Sequence, residues 1–182
     1  SLMKRVSLIL GIATMLLSTA ATSQPADFVR YGNEALNQRK YDIAIEYYNK
    51  AILLQPKSTH AIFNRGLAYS RLGKDSLALS DYDTYLELYP DNATTYTARG
   101  VLYHKMGRRA EAVADLTRAL EKDSANGLAW AVLGDTYLTM KQDDKALHAW
   151  TQSVERDPNG QYAQHVREQI ARLNKSAQSQ NK

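Results

Sequence analysis

At 182 residues, 44% of them hydrophobic and 23% charged, the chain has the length of one ordinary domain and enough apolar material for a sizeable core. Its formal charge is +4, but without Lys4 and Arg5 only 21 basic groups face 19 acidic ones. That excess is too small to argue nucleic acid, and no Arg/Lys run with interleaved aromatics suggests a strand-tracking groove. The absence of cysteine excludes disulfides, thiolate metal clusters and lipid attachment through a thiol.

The first element stands apart from the rest. Lys4 and Arg5 precede an apolar run from Val6 to Leu17, and small residues surround Ala20 and Ala21. This is the layout of a secretory signal peptide, cleavable after Ala20, Ala21 or Ser23. The run is too short to span a bilayer comfortably. Residues 1–23 are therefore expected to be a leader, with Ser1-Leu2 ahead of Met3 a cloning remnant. The mature chain is expected in the periplasm or the secreted space, without stable membrane insertion.

From Pro25 onward a helical pattern begins. Proline suits a first helical position because its missing N–H has no partner there anyway, and Phe28, Tyr31, Gly32 and Ala35 follow at helical spacing. A second helix carries Tyr41, Ala44, Ile45, Tyr48, Ala51 and Ile52 on one face and stops before Pro56, since a residue preceding proline is pushed out of helical geometry. The same frame then returns every 34 residues without insertion. Its marks are Gly32, Gly66, Gly100 and Gly134, then Ala44, Ala78, Ala112 and Ala146, then Tyr48, Tyr82, Leu116 and Trp150. The copies close on Pro56, Pro90, Ser124 and Pro158. A glycine inside a helix costs about 1 kcal/mol relative to alanine, so close approach of the paired helix is the expected compensation. Gly73 and Gly107 suit a turn that needs positive φ. Beyond the last copy, Tyr162, Val166, Ile170 and Leu173 recur at helical spacing, which predicts a capping helix over 161–174 that covers the open end of the array. The polar residues 175–182 read as a disordered tail.

Chemistry is sparse. His60, His104, His148 and His165 show no paired ligand spacing. Asp75, Asp81 and Asp83 lack the pattern of a calcium loop and read as a solvated helix face. No phosphate loop or nucleophile motif is present, so neither an enzyme nor a cofactor is expected. Most of the tyrosines fall on repeat core positions, which argues for packing and not for a ligand surface.

Trp130, Leu133, Gly134, Tyr137, Ala146, Trp150 and Pro158 together meet the pattern of the tetratricopeptide repeat, which the chain resembles over residues 25–160. The resemblance implies an all-α fold, a right-handed α-solenoid of four tandem helix-turn-helix repeats (25–58, 59–92, 93–126 and 127–160) with the capping helix behind them. Tyr31, Arg65 and Arg99 depart from the preferred Leu, Ala35 from Tyr, and Ser124 from Pro. The arginines are expected to lay aliphatic stems over the core with their heads in water.

The resemblance also implies where function lies. The inner face would be lined by four residues of each first helix: Ala26, Val29, Asn33 and Leu36; His60, Phe63, Leu67 and Ser70; Thr94, Thr97, Val101 and His104; Leu128, Ala131, Asp135 and Leu138. Of these, Val29, Leu36, Phe63, Leu67, Val101, Leu128 and Leu138 would form an apolar track, with Asn33, Asn37, Asn64, Arg71, His104, Lys105 and Asp135 as polar contacts. Such a groove suits a protein or peptide ligand, held as an amphipathic helix or an extended segment. The carboxylate clamp that some family members use for chaperone tails would fall on Val29, Asn33, Asn64, Thr94 and Ala98. Its two asparagines are present and its three cations are missing, so a desolvated carboxylate would lack its charge-assisted partners. The expected function is an exported adaptor. The alternative is a structural module that stacks through its terminal helix faces, making the chain a monomer or a weak homo-oligomer.

Overall fold

The computed structural model describes residues 23–180, and the expected leader thus falls almost wholly outside the described residues. Among those described there are nine α-helices and no strand: α1 (Pro25–Asn37), α2 (Tyr41–Leu54), α3 (Thr59–Arg71), α4 (Asp75–Leu88), α5 (Ala93–Lys105), α6 (Arg109–Lys122), α7 (Gly127–Thr139), α8 (Asp143–Arg156) and α9 (Ala163–Gln180). They form an α-solenoid of four antiparallel pairs closed by α9.

Local chemistry sets the helix ends. The α1 start has a capping box in which the Gln24 N–H donates to Asp27 Oδ2 at 3.0 Å, with Pro25 as the first helical residue. Asn92 and Asn126 cap α5 and α7 by accepting from the N–H of Thr95 and Ala129. Where α3 and α5 end, Gly73 and Gly107 take φ +73°. The equivalent positions in the first and last pairs hold Arg39 and Lys141, at φ 58° and 57°, a region that costs a non-glycine residue roughly 1–2 kcal/mol.

The pairing of helices explains the repeated Gly, Ala and large residues. Ala44, Ala78, Ala112 and Ala146 are fully buried, and so are Tyr48, Leu116 and Trp150. A Cβ added at Gly32 would sit 2.5 Å from the Tyr48 ring, and one at Gly134 would run into the Trp150 indole. The glycines are thus the slots into which the second helix's large residues press. The two polar tips stay satisfied. Tyr48 Oη donates to Asn33 Oδ1 at 2.7 Å, and Trp150 Nε1 donates to Asp135 Oδ1 at 3.0 Å.

Two expectations are corrected on the outer face. Arg65 and Arg99 do not keep wet heads. Arg65 donates from Nε and Nη2 to both oxygens of Asp81, at 2.9 and 2.7 Å, and from Nη1 to Asn49 at 2.8 Å. Arg99 grips Asp115 in the same way, at 2.6 and 2.9 Å, and reaches Asp83 of the preceding pair at 2.6 Å. These hydrogen bonds raise both guanidinium pKa values. Asp81 is accordingly buried and not part of a solvated face. Each arginine ties its own two helices together and fastens them to the pair before.

The C-terminal expectation also shifts. Tyr162 precedes the last helix and is exposed, while Ala163 and Val166 are buried and Ile170 and Leu173 pack beside Trp150 and Leu138. The helix then continues to Gln180 through residues read as a tail. That stretch lacks an apolar stripe, but its alanine, lysine and glutamines are good helix formers that extend a helix already nucleated.

Candidate functional site

The inner face is built by α1, α3, α5 and α7, and two adjoining cavities of about 480 and 530 Å³ run along it. Leu67 and Arg71 border both, so they form one continuous groove. Leu36, Leu67, Val101 and Leu128 supply its apolar floor; Asn37, Arg71 and Lys105 stand along one edge. Seven of the residues expected from the sequence are thus brought together.

The others are placed differently. Val29 lines a separate cavity of about 340 Å³ beside Ala26 and His60, at the opposite edge of the inner face. Phe63 turns toward its own second helix, with its ring 5.7 Å from that of Tyr82 and 5.8 Å from that of Tyr85, so it is part of the core cluster more than of the track. Asn64 donates to Asn33 Oδ1 at 2.9 Å, which leaves these two amides engaged with each other and with Tyr48. His104 Nδ1 lies 2.9 Å from Thr136 Oγ1, a link between the third and fourth pairs. Asp135 holds Trp150 and also meets His165 of α9 at 3.3 Å, and Leu138 packs beneath α9. The capping helix therefore withdraws Asp135 and Leu138 from the groove and leaves Leu128 as the fourth pair's apolar contact there.

Six lining residues were not assigned to the groove from the sequence: Arg39, Tyr41, Tyr82, Asn126, Gln161 and Tyr162. Gln161 and Tyr162 belong to the segment between α8 and α9 and stand across the groove from Leu67 and Arg71. Arg39 carried a readable signal, since it occupies the position where the second and third copies have glycine.

The electrostatics of this edge are uneven. Lys105 Nζ is paired with Asp75 at 2.9 Å. Arg39 and Arg71, both exposed and bordering the same cavity, make no ion pair among the described residues. Two guanidiniums thus flank an apolar floor without an ion-pair partner among the described residues. No group of three or more His, Cys, Asp or Glu that would hold a metal occurs among the described residues, and no described helix is long and apolar enough to cross a membrane.

Two family models described as tetratricopeptide repeat match residues 32–99 and 103–170, most of the chain between them, and the chain belongs to that family. Solved structures share the fold. A tetratricopeptide repeat protein from Parabacteroides merdae superposes with a TM-score of 0.75 at 22% identity, over 93% of this chain and 66% of that one. YrrB, described as a TPR protein with an unusual peptide-binding site, gives 0.70 at 20% identity over 81% and 76%. The Hsp70-Hsp90 organizing protein of Triticum aestivum is 45% identical over 42 residues, which are 23% of this chain and only 7% of that protein.

Proposed function

We propose that the chain is an exported adaptor that holds a peptide segment of a partner protein in this groove and performs no chemistry of its own. Apolar side chains of the segment rest on Leu36, Leu67, Val101 and Leu128, and an acidic group pairs with Arg39 and Arg71. The observation that carries the reading is the pair of guanidiniums beside an apolar floor, without an ion-pair partner among the described residues. Charge-assisted, bidentate contacts of this kind position a carboxylate well. The family's habit of binding proteins and peptides supports it, as does the peptide site described for YrrB. Export rests on the layout of residues 4–21.

Arg39 links this function to a cost in the fold. Glycine at that turn would relieve the strained φ and stabilise the chain by roughly 1 kcal/mol, yet the sequence places a groove cation there. Affinity capture with the full chain, compared with Arg39→Gly and with Leu67→Ser/Arg71→Glu, tests the proposal. Arg39→Gly is expected to melt higher while retaining less partner, and the double variant to retain none. Equal capture by all three chains would refute the groove.

A further inference from the structure

Because one unit is repeated four times, the places where a copy departs from its siblings can be read within a single chain. Near the end of each second helix, three copies carry glutamate, at Glu87, Glu121 and Glu155. The first copy carries Leu53 instead, 82% exposed, with Leu54 beside it 53% exposed. Large apolar groups standing together in water mark an interaction site. Lys50, one helical turn back, and Lys57 just beyond flank them; both are exposed and neither has an ion-pair partner among the described residues.

A second departure lies at the other end of the solenoid. The outer-face pair is Tyr31/Tyr47 in the first copy, Arg65/Asp81 and Arg99/Asp115 in the middle two, and Leu133/Ala149 in the fourth. The middle copies fill the space between successive second helices with a guanidinium that spans it. The fourth has no such group, and a cleft of about 540 Å³ opens between α6 and α8. Leu133 and Ala149 are its floor, and Leu120, Trp130 and Tyr137 wall it. At its rim stand Glu121 and Asp144, exposed and without ion pairs among the described residues, together with His148 and a single ammonium, Lys145, which lies 5.4 Å from the Tyr137 ring centroid.

The two departures complement one another. One end presents an apolar knob between lysines, the other an apolar cleft whose lining carries two carboxylates, Glu121 and Asp144, and one ammonium, with the Arg156 guanidinium over the outer Trp130 wall. We propose that the chain binds a second copy of itself head to tail, with Leu53 and Leu54 of one molecule seated in the α6/α8 cleft of the next. The proposal goes beyond the groove reading and uses neither the groove nor α9, whose apolar residues already pack against the fourth pair. Because the two surfaces differ, the contact is heterologous and does not close on itself, so it generates strings and not closed dimers.

Sedimentation of the full chain at rising concentration tests this, and the average mass is expected to climb past that of two chains. Leu53→Glu, which gives the first copy the residue of the other three, should abolish the climb. So should Leu133→Arg with Ala149→Asp, which restores the pair of the middle copies and fills the cleft. If melting shows that this second variant fails to fold, Glu121→Lys with Asp144→Lys, both at exposed sites, takes its place. The decisive arm mixes the knob variant with the cleft variant. Each keeps the half the other lost, so association should return and stop at two chains. Added salt should weaken it, because the flanking charges are exposed. A parent chain that stays monomeric overturns the proposal, whether residues 1–22 or a different protein fills the cleft. Variants that associate like the parent, or a mixture that forms no pair, overturn it equally.

Discussion

Removing Asp115 isolates the worth of the arginine ties. The Arg99 side chain is only 19% exposed and that of Asp115 9%, so Asp115→Ala strands a largely buried guanidinium. Breaking such a pair from one side costs about 3–5 kcal/mol. Arg99 keeps the exposed Asp83 at 2.6 Å, which puts the loss at the lower end, about 3 kcal/mol, or a fall in Tm of about 6–12 °C. Arg99→Leu/Asp115→Ala is a different perturbation, because it copies the Leu133/Ala149 solution already used in the fourth pair. A buried ion pair exchanged for packed apolar groups is often neutral, so the double variant is expected within about 1 kcal/mol of the parent. Urea and thermal melts followed by circular dichroism give all corners of the cycle, with an expected coupling of about 2 kcal/mol or more. Should the double variant lose as much as Asp115→Ala, the ties stabilise by direct attraction and the desolvation argument fails; should the two changes simply add, the pair carries no coupling and the tie itself is refuted.

Two further outcomes follow from the core. Gly134→Ala gains about 1 kcal/mol of helix propensity but drives a methyl into the buried Trp150 indole, for a net loss of about 1–2 kcal/mol; a variant that melts at or above the parent would contradict the slot. At alkaline pH, burial pushes Tyr48 up to about 12 and Tyr82 higher still. The unfolded chain then releases these protons first, so stability that is complete below the ordinary value of 10.0 falls as pH rises through the folded values. Urea midpoints measured toward pH 12 should decline, and less steeply in Tyr48→Phe; a flat profile would mean that neither phenol is shielded.

The solenoid was legible because its determinants are periodic. Gly32 and Tyr48 sit at a fixed spacing that returns at Gly134 and Trp150, and each pair makes the same slot-and-filler contact. The arginine ties were misread because each spans two helices, between residues 16 apart, where helical periodicity says nothing. Their signal was present all the same: the partner changes with the first residue, from Arg and Asp to Leu and Ala. Within the site, Leu36, Leu67, Val101 and Leu128 followed from repeat position. Gln161 and Tyr162 did not, since what brings them opposite Arg71 is the curvature of the whole array and not any local pattern. Asp135 and Leu138 failed for a related reason. Repeat position assigns them to an inner face, but only the course of α9 decides whether that face stays open.

The segment at residues 161 and 162 gives the groove a place in time as well as in space. Helix pairs close through neighbours in sequence and form as the chain lengthens, but the wall opposite Leu67 and Arg71 comes from residues synthesised roughly ninety positions later. A nascent chain that stops short of residue 161 lacks that wall. On the proposed reading, the binding surface is complete only once residues 161 and 162 are in place. An occupant that touches both walls would bridge the first pair and the segment that follows the fourth, as a string joins the ends of a bow.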